Sequence, residues 1–476
     1  MYATASTPAE TRTPSLEGTA PSVGETCVIG AGCSGLVACK ALADAGIAFT
    51  CFEASDRVGG LWVFGNINGR SSAYRSLHIN TSRDRMQFRD YPMPRVYPDY
   101  PDHTLIARYL ADYAREFDLE RHIRFRSEVA KVQPTADGKY EVTLASGERR
   151  RFGAIVVANG HHWDPHWPNP LPTGSFDGVE LHSHSYVDPS HPEDLRGRRV
   201  VVVGIGNSAV DIACELSRAT PEGHVLLAVR RGAWVLPKYV LGKPLDAQSA
   251  LPRVLPRRLR QALAELWYHI AIGSPARFGL PLPDHHLGDA HPTVSDELFS
   301  RLASGHVRAK PHIVERRGTR VRFADGSEEP VDAIIYATGY RVSFPFFERD
   351  FVAAPDNELS LFLRVFHPHA PHLYFIGLCQ PLGPIMPIAE AQAKLVAAHL
   401  RGDYSLPSVT AMQAASKRER ERVRRRFGGS PRHTMQVDFD AYLDELAREA
   451  THAVRSKRGK LGAASMAARL WPSSRS

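Results

Sequence analysis

The sequence has no Cys-x-x-Cys pair, no histidine and cysteine spacing of the metal-site kind, and no apolar run approaching a membrane span. Each absence removes a class of protein. The six cysteines, Cys27, Cys33, Cys39, Cys51, Cys214 and Cys379, are scattered through apolar segments. A disulfide-stapled secreted scaffold is therefore not indicated, and buried free thiols in a reducing cytoplasm are expected, so the localisation expected is cytoplasmic. Without a window of about 18 apolar residues, no membrane-spanning helix is expected. The first residues are Thr, Ser, Ala, Pro and Glu with no apolar stretch among them, which argues against a signal peptide and for a disordered leader over 1–24. None of the 22 histidines sits in a ligand pattern, and no metal is expected. A Ser-His-Asp set and a paired-carboxylate site are equally missing.

The net charge is +8, and much of the excess lies between Lys417 and Arg426, with seven basic and two acidic residues. With no aromatic interleaving and no apolar face, this run reads as a solvated helix face rather than a nucleic-acid or membrane patch. The segment 456–476 is small, basic and weakly patterned, a tail.

A chain of 476 residues that is 43% hydrophobic can bury two substantial cores. Two segments share one local design. Cys27-Val28-Ile29 is an apolar strand followed by a glycine turn, a helical stretch to Ala45, a stop at Gly46 and a strand from Ile47 to Phe52. Val200 to Val203 repeats the plan, with a glycine turn, a helix carrying Ala209, Ile212, Ala213 and Leu216 on one face, and a strand from Val225 to Val229. Continuously apolar strands suit parallel sheets buried on both faces. A strand at Ala154–Ala158 and a Pro-rich crossing from His161 to Pro172 separate the two units. A helical and loop region follows over about Pro252 to Ala309, then strands at Ile313–Glu315, Ala333–Tyr336 and Leu373–Ile376 and a helix from Ile388 to Leu400. The fold class is α/β with two Rossmann-like dinucleotide-binding domains, the second inserted into the first: 25–168, 169–325 and 326–455.

Gly30-Ala31-Gly32-Cys33-Ser34-Gly35 has the spacing that allows a tight turn, close approach of a pyrophosphate, and close helix–strand packing. Ser34 lies within it, and Glu53 ends the next strand, where a carboxylate can accept from ribose hydroxyls. Gly204-Ile205-Gly206-Asn207-Ser208-Ala209 is the second such turn, with Arg230 and Arg231 at the end of its following strand and no acid from His224 to Leu236. Guanidinium groups suit a 2′-phosphate, so NADP rather than NAD is expected there. Two dinucleotide sites in one chain imply that one cofactor reduces the other, flavin in the first and nicotinamide in the second. Disulfide reductases share this plan but need a redox cysteine pair, and this chain lacks one.

Phe176-Asp177-Gly178-Val179-Glu180-Leu181-His182-Ser183-His184-Ser185-Tyr186 matches an FxGxxxHxxxY signature, and Asp332 with Tyr336-Ala337-Thr338-Gly339-Tyr340 matches a D-x3-(L/F)-ATGY block except at Tyr336. Gly59-Gly60-Leu61-Trp62, Tyr74-Arg75-Ser76-Leu77 before Asn80, and the run from Ile376 through Gln380 to Gln392 are also familiar. On these residues the chain resembles the flavin-containing monooxygenases from about Glu25 to Ala450. The resemblance implies FAD, NADPH and O₂ as reactants, and oxygen transfer to a soft nitrogen or sulfur of a small amine or sulfide through a C4a-hydroperoxyflavin. It implies that Gly60, Leu61 and Trp62 line the flavin site, Asn80 faces the reacting flavin carbon, Val129 meets the adenine through its backbone and Gln380 lies near the ring. Bland readings stand beside these: Trp62 as a core aromatic, Asn80 as a helix cap or turn residue, His182 as a structural residue coupling the domains. Tyr186 stands where the related Baeyer–Villiger oxygenases carry Trp. Ketone oxygenation is one alternative, and an NADPH oxidase or redox-sensing flavoprotein is another. No nucleic-acid partner is expected, and a homodimer is compatible with the sequence.

Overall fold

The computed structural model describes residues 24–248, 256–427 and 434–457. The expected leader, apart from Gly24, and the tail beyond Lys457 lie outside these residues.

The first apolar strand, β1 (Thr26–Ile29), is wholly buried because it has parallel neighbours on both sides: Thr26 is level with Phe49 of β2 (Phe49–Phe52) and with Ala154 of β4 (Ala154–Val157). With β3 (Ile123–Arg124) and β10 (Leu373–Phe375) they form a five-stranded parallel sheet of order β10-β4-β1-β2-β3. Helix α1 (Cys33–Asp44) covers this sheet and buries Leu36, Val37, Cys39 and Leu42 against α5 (Met386–Leu400), itself almost entirely buried. The last strand and its helix thus come from beyond residue 370, so both ends of the chain complete one unit.

The second sheet is also five-stranded and parallel. Its order is β5 (Val179–His182), β9 (Ala333–Tyr336), β6 (Val200–Val203), β7 (Val225–Val229) and β8 (Val307–Pro311). Helix α3 (Asn207–Ala219) packs Ala209, Ile212, Ala213 and Leu216 onto it, all at 0% exposure, on the face expected from their spacing. Two assignments differ from the sequence reading. A boundary at 325 puts the strand Ala333–Tyr336 in the first unit, whereas it lies inside the second sheet, between β5 and β6 and level with Val179 and Val200. A four-residue apolar run says that a strand is buried, not which sheet buries it. Val307–Pro311 fell mostly within the helical and loop region, yet it is an edge strand, its core contact mostly through Val307.

The two passages between units, before β5 and after β9, meet in a short antiparallel ribbon, Asp164–Pro165 against Tyr340–Arg341. The Pro-rich crossing is therefore part of a two-stranded tie. The basic run lies on α6 (Val409–Phe427), where Ser416 and Val423 are buried. Arg420 and Arg424 pair with Glu358, and Arg426 with Asp438, so this helix is stitched to its surroundings by ion pairs. No described helix is long and apolar enough to cross a membrane.

Candidate active site

The two glycine turns are built alike. Gly30 and Gly204 have φ of +99° and +134°, a region that side chains rarely enter. A Cβ on Gly30 would stand 2.8 Å from the Ala158 carbonyl oxygen, and one on Gly204 would stand 2.7 Å from that of Ala337. Each turn is thus pressed against the strand end beside it. Gly32 and Gly206 are the N-caps of α1 and α3 with nearly identical backbones, φ −74° ψ −173° and φ −75° ψ 173°, and neither helix has a side-chain cap. Both helices therefore present first-turn N–H groups that no side chain satisfies, at the positive end of the helix dipole. That is the cradle a pyrophosphate needs, and the residues fit a dinucleotide in both places. At Gly35 a Cβ would lie 1.8 Å from the Gly30 carbonyl oxygen, so only glycine closes the first turn. The second turn accommodates Ala209 instead.

Around the first turn the expected flavin residues converge. Glu53 accepts from the backbone N–H of Ala31 (2.6 Å) and of Ser55 (2.8 Å), which fixes its carboxylate beside the turn. Burial raises its carboxyl above the usual range, opposed by those two N–H groups. Ser127 N–H donates to the Glu53 carbonyl (2.8 Å), bringing Val129 at the start of the strand Val129–Pro134 to the same strand end. Gly60 packs on Gly32, its would-be Cβ 3.0 Å from the Gly32 Cα, and so seats Leu61 and Trp62 next to the turn. Trp62 also packs on the core, as its reading as a core aromatic expects. From the far end of the chain Gly377 comes down on Ser34, where a Cβ would approach its hydroxyl to 2.1 Å, and Gln380 follows, its N–H bonded to the Met435 carbonyl at 2.8 Å.

Asn80 lies two residues before Ser82, the N-cap of the single turn Arg83–Met86, so the cap position belongs to Ser82. Asn80 is half-buried, and its side chain makes no hydrogen bond among the described residues.

At the second turn, Asn207 accepts from the Val294 N–H (2.8 Å), an interaction that ties the loop at 293–294 to the turn. Ser208 occupies the same first helical turn. Arg230 is exposed just past the end of β7. Arg231 is exposed too, but Asp284 stands 3.8 Å from its Nε. Spacing along the chain could not reveal this acid, because it folds back from about fifty residues away.

The units meet through side chains whose partners the sequence did not reveal. Tyr74, 3% exposed, donates across to Asp211 of α3 at 2.5 Å, and within the second unit Tyr186, 1% exposed, donates to Glu215 one turn further at 2.8 Å. Arg75 pairs with Asp188 (2.9 Å), and the Ser82 N–H donates to Asp246 (2.7 Å). His182 is 2% exposed, accepts from the His184 N–H (3.1 Å) and packs against the rings of Trp167 and Tyr340. Burial pushes its pKa down to about 4, which suits a neutral structural residue at the junction. All six cysteines are free; the buried Cys39 and Cys51 thiols lie within hydrogen-bonding reach of each other, and burial pushes Cys214 and Cys379 up to about 12. No group of three metal-ligating side chains occurs among those residues.

This arrangement, two uncapped glycine turns each at the head of a parallel sheet, belongs to a known class. The model of the flavin-binding monooxygenase-like family matches residues 24–455. The chain is 38% identical over 441 residues to flavin-containing monooxygenase 5 of Homo sapiens, covering 88% of this chain and 81% of that one. It is 39% identical over 451 residues to the N-oxide-forming dimethylaniline monooxygenase 2 of Mus musculus, covering 89% and 82%. Among solved structures it is similar to an S-allyl-L-cysteine S-oxygenase from Allium sativum (TM-score 0.67, 26% identity, 90% of this chain and 88% of that one). A closed cyclohexanone monooxygenase shares the fold at 19% identity (TM-score 0.68, 91% and 98%). The chain belongs to the flavin-binding monooxygenase family. It is an oxidoreductase, a flavin-containing monooxygenase that uses FAD and NADPH.

Proposed function

We propose that the enzyme oxygenates a soft nucleophilic nitrogen or sulfur of a small molecule, with FAD at the first glycine turn and NADPH at the second. The balanced reaction takes substrate, O₂, NADPH and a proton to oxygenated substrate, NADP⁺ and water. One observation carries the choice of heteroatom: the last residue of the signature is Tyr186, where the related Baeyer–Villiger oxygenases carry Trp, and its buried hydroxyl donates to Glu215 on the helix of the second turn. The N-oxide-forming and S-oxygenating relatives support the same reading, while the cyclohexanone enzyme supports only the fold.

FAD, when bound, supplies the electron transfer and oxygen activation. The chain's own residues bind, orient and exclude water. The N–H groups of α1 and α3 hold the two pyrophosphates, Glu53 takes the flavin-side ribose, and Arg230 takes the 2′-phosphate. Leu61, Trp62, Val129 and Gln380 shape the flavin site, and Asn80 offers its free carboxamide to the reacting edge. The pairs Tyr74–Asp211 and Arg75–Asp188 tie the first unit to the second, and Tyr186–Glu215 braces, within the second unit, the helix that Tyr74 reaches. No acid–base side chain is required for the transfer itself. Asn80→Ala tests the assignment: FAD should stay bound, while more of the NADPH consumed should appear as H₂O₂ rather than product. An unchanged ratio would remove Asn80 from the site.

A further inference from the structure

The loop that carries Asn80 belongs to the first unit, yet three of its residues reach into the second. Tyr74 donates to Asp211 (2.5 Å) at its start. Arg75 follows, its N–H donating to the Val187 carbonyl (2.8 Å) and its guanidinium to Asp188 (2.9 Å). Ser82, just past Asn80, donates its N–H to Asp246 (2.7 Å). The first of these differs in kind from the others, because Asp211 lies on α3, one turn from the N-terminus that forms the second glycine turn. A nucleotide seated there fixes that helix end directly. Tyr74 is 3% exposed, so its hydroxyl has no water to fall back on, and the pair is held by burial as well as by the bond. The neighbouring Tyr186 ring, 6.4 Å away, is anchored to Glu215 of the same helix and backs Tyr74 edge-on. The path from nucleotide to loop is therefore one helical turn and one hydrogen bond.

We propose that Asp211 is a positioning residue for the flavin site: through Tyr74 it makes the placement of the Asn80 loop depend on nucleotide bound at the second glycine turn. The consequence is chemical. O₂ reduced at a flavin site whose loop is not in place would leave as H₂O₂ without oxygenated product, and a loop ordered by the nucleotide restrains that leak. The inference rests on the reading of Asn80 as the residue facing the flavin, and the test separates the two.

Hydrogen exchange by mass spectrometry on the FAD-loaded enzyme, with and without NADP⁺, reads the coupling without turnover. NADP⁺ should slow exchange several-fold both at 204–212 and at 75–82. In Tyr74→Phe and Asp211→Ala the protection at 204–212 should remain while that at 75–82 is lost, and Asp211→Asn, whose amide oxygen still accepts, should restore part of it. The same two variants should raise the H₂O₂ released per NADPH, and combining Tyr74→Phe with Asn80→Ala should add little to Asn80→Ala alone. If Asp211→Ala does not fold, Tyr74→Phe and Asp211→Asn carry the comparison. The inference is overturned if 75–82 gains no protection in the unmodified enzyme. It is equally overturned if that protection survives intact in Tyr74→Phe and Asp211→Ala, or is lost there only together with protection at 204–212. An Asn80→Ala enzyme that leaks no extra H₂O₂ would sink the Asn80 reading alone, leaving the exchange result to judge Asp211.

Discussion

Removing Arg230 should cost NADPH affinity and leave NADH nearly untouched. A guanidinium hydrogen-bonded to a phosphate contributes about 1.5–3 kcal/mol where water is kept out, and exposed ion pairs contribute about 0.2–1 kcal/mol. Arg230 is exposed at the end of its strand, which places it between these ranges. An estimate of about 1.4 kcal/mol corresponds to about a tenfold weaker Kd for NADPH in Arg230→Ala. Arg231 should matter less, because Asp284 already stands 3.8 Å from it and both side chains are well exposed, 64% and 60%. About half the energy, or roughly threefold in Kd, is the expected loss in Arg231→Ala. Asp284→Ala should tighten NADPH by removing a competing anion from the pocket. Titration of the oxidised enzyme with NADP⁺ and NAD⁺, and steady-state KM values for both reduced forms at low and high salt, measure all of this. The Arg230 effect should shrink as salt rises, since screening acts within about 8 Å at physiological ionic strength. Equal losses for NADPH and NADH would refute the assignment, as would an Arg231 effect larger than that of Arg230.

Gly35→Ala should abolish FAD retention, because its Cβ would lie 1.8 Å from a backbone carbonyl that cannot move without opening the turn; the flavin content of purified protein reads this directly. Tyr186→Phe leaves the Glu215 carboxylate without its donor and should lower stability by about 1–3 kcal/mol in a urea titration, a value near zero meaning that water replaces the phenol. His182 has a folded pKa depressed to about 4 by burial. Below its ordinary value near 6.5 the unfolded chain takes a proton that the folded one refuses, so its contribution to stability is lost as pH falls from about 6.5 to about 4. His182→Asn should flatten the dependence of melting temperature on pH across that window, and an unaltered slope would mean that other buried histidines carry it.

What was legible in the sequence was local. The glycine turns need particular backbone angles and close approaches, and those needs fall on residues next to one another, so Gly30, Gly32, Gly35, Gly204 and Gly206 could be read without any tertiary information. The buried strands Val200–Val203 and Val225–Val229 were legible for the same reason, as unbroken apolar runs. Sheet membership was not. Ala333–Tyr336 has the same apolar signature as β10, and only pairing with Val179 and Val200 assigns it to the second sheet. The contacts that assemble the site were hidden by distance along the chain: Tyr74 and Asp211 lie 137 residues apart. Asp211 did leave a trace. Together with Glu215 it is a carboxylate, four residues spaced, on a helix otherwise buried in apolar residues, and such a pair needs partners from elsewhere. Asp284 left none, so the arginine pair looked more equal in sequence than it is in the fold.

The central claim is oxygen transfer to a soft heteroatom, and one competition measures it. A tertiary amine, an aryl methyl sulfide and a cyclic ketone are offered together with NADPH under isotopically labelled dioxygen, and NADPH consumption is followed alongside the products. The account predicts N-oxide or sulfoxide carrying one labelled oxygen, formed nearly mole for mole with the NADPH consumed. Labelled lactone as the main product, or H₂O₂ matching all of the NADPH with every substrate intact, would contradict it.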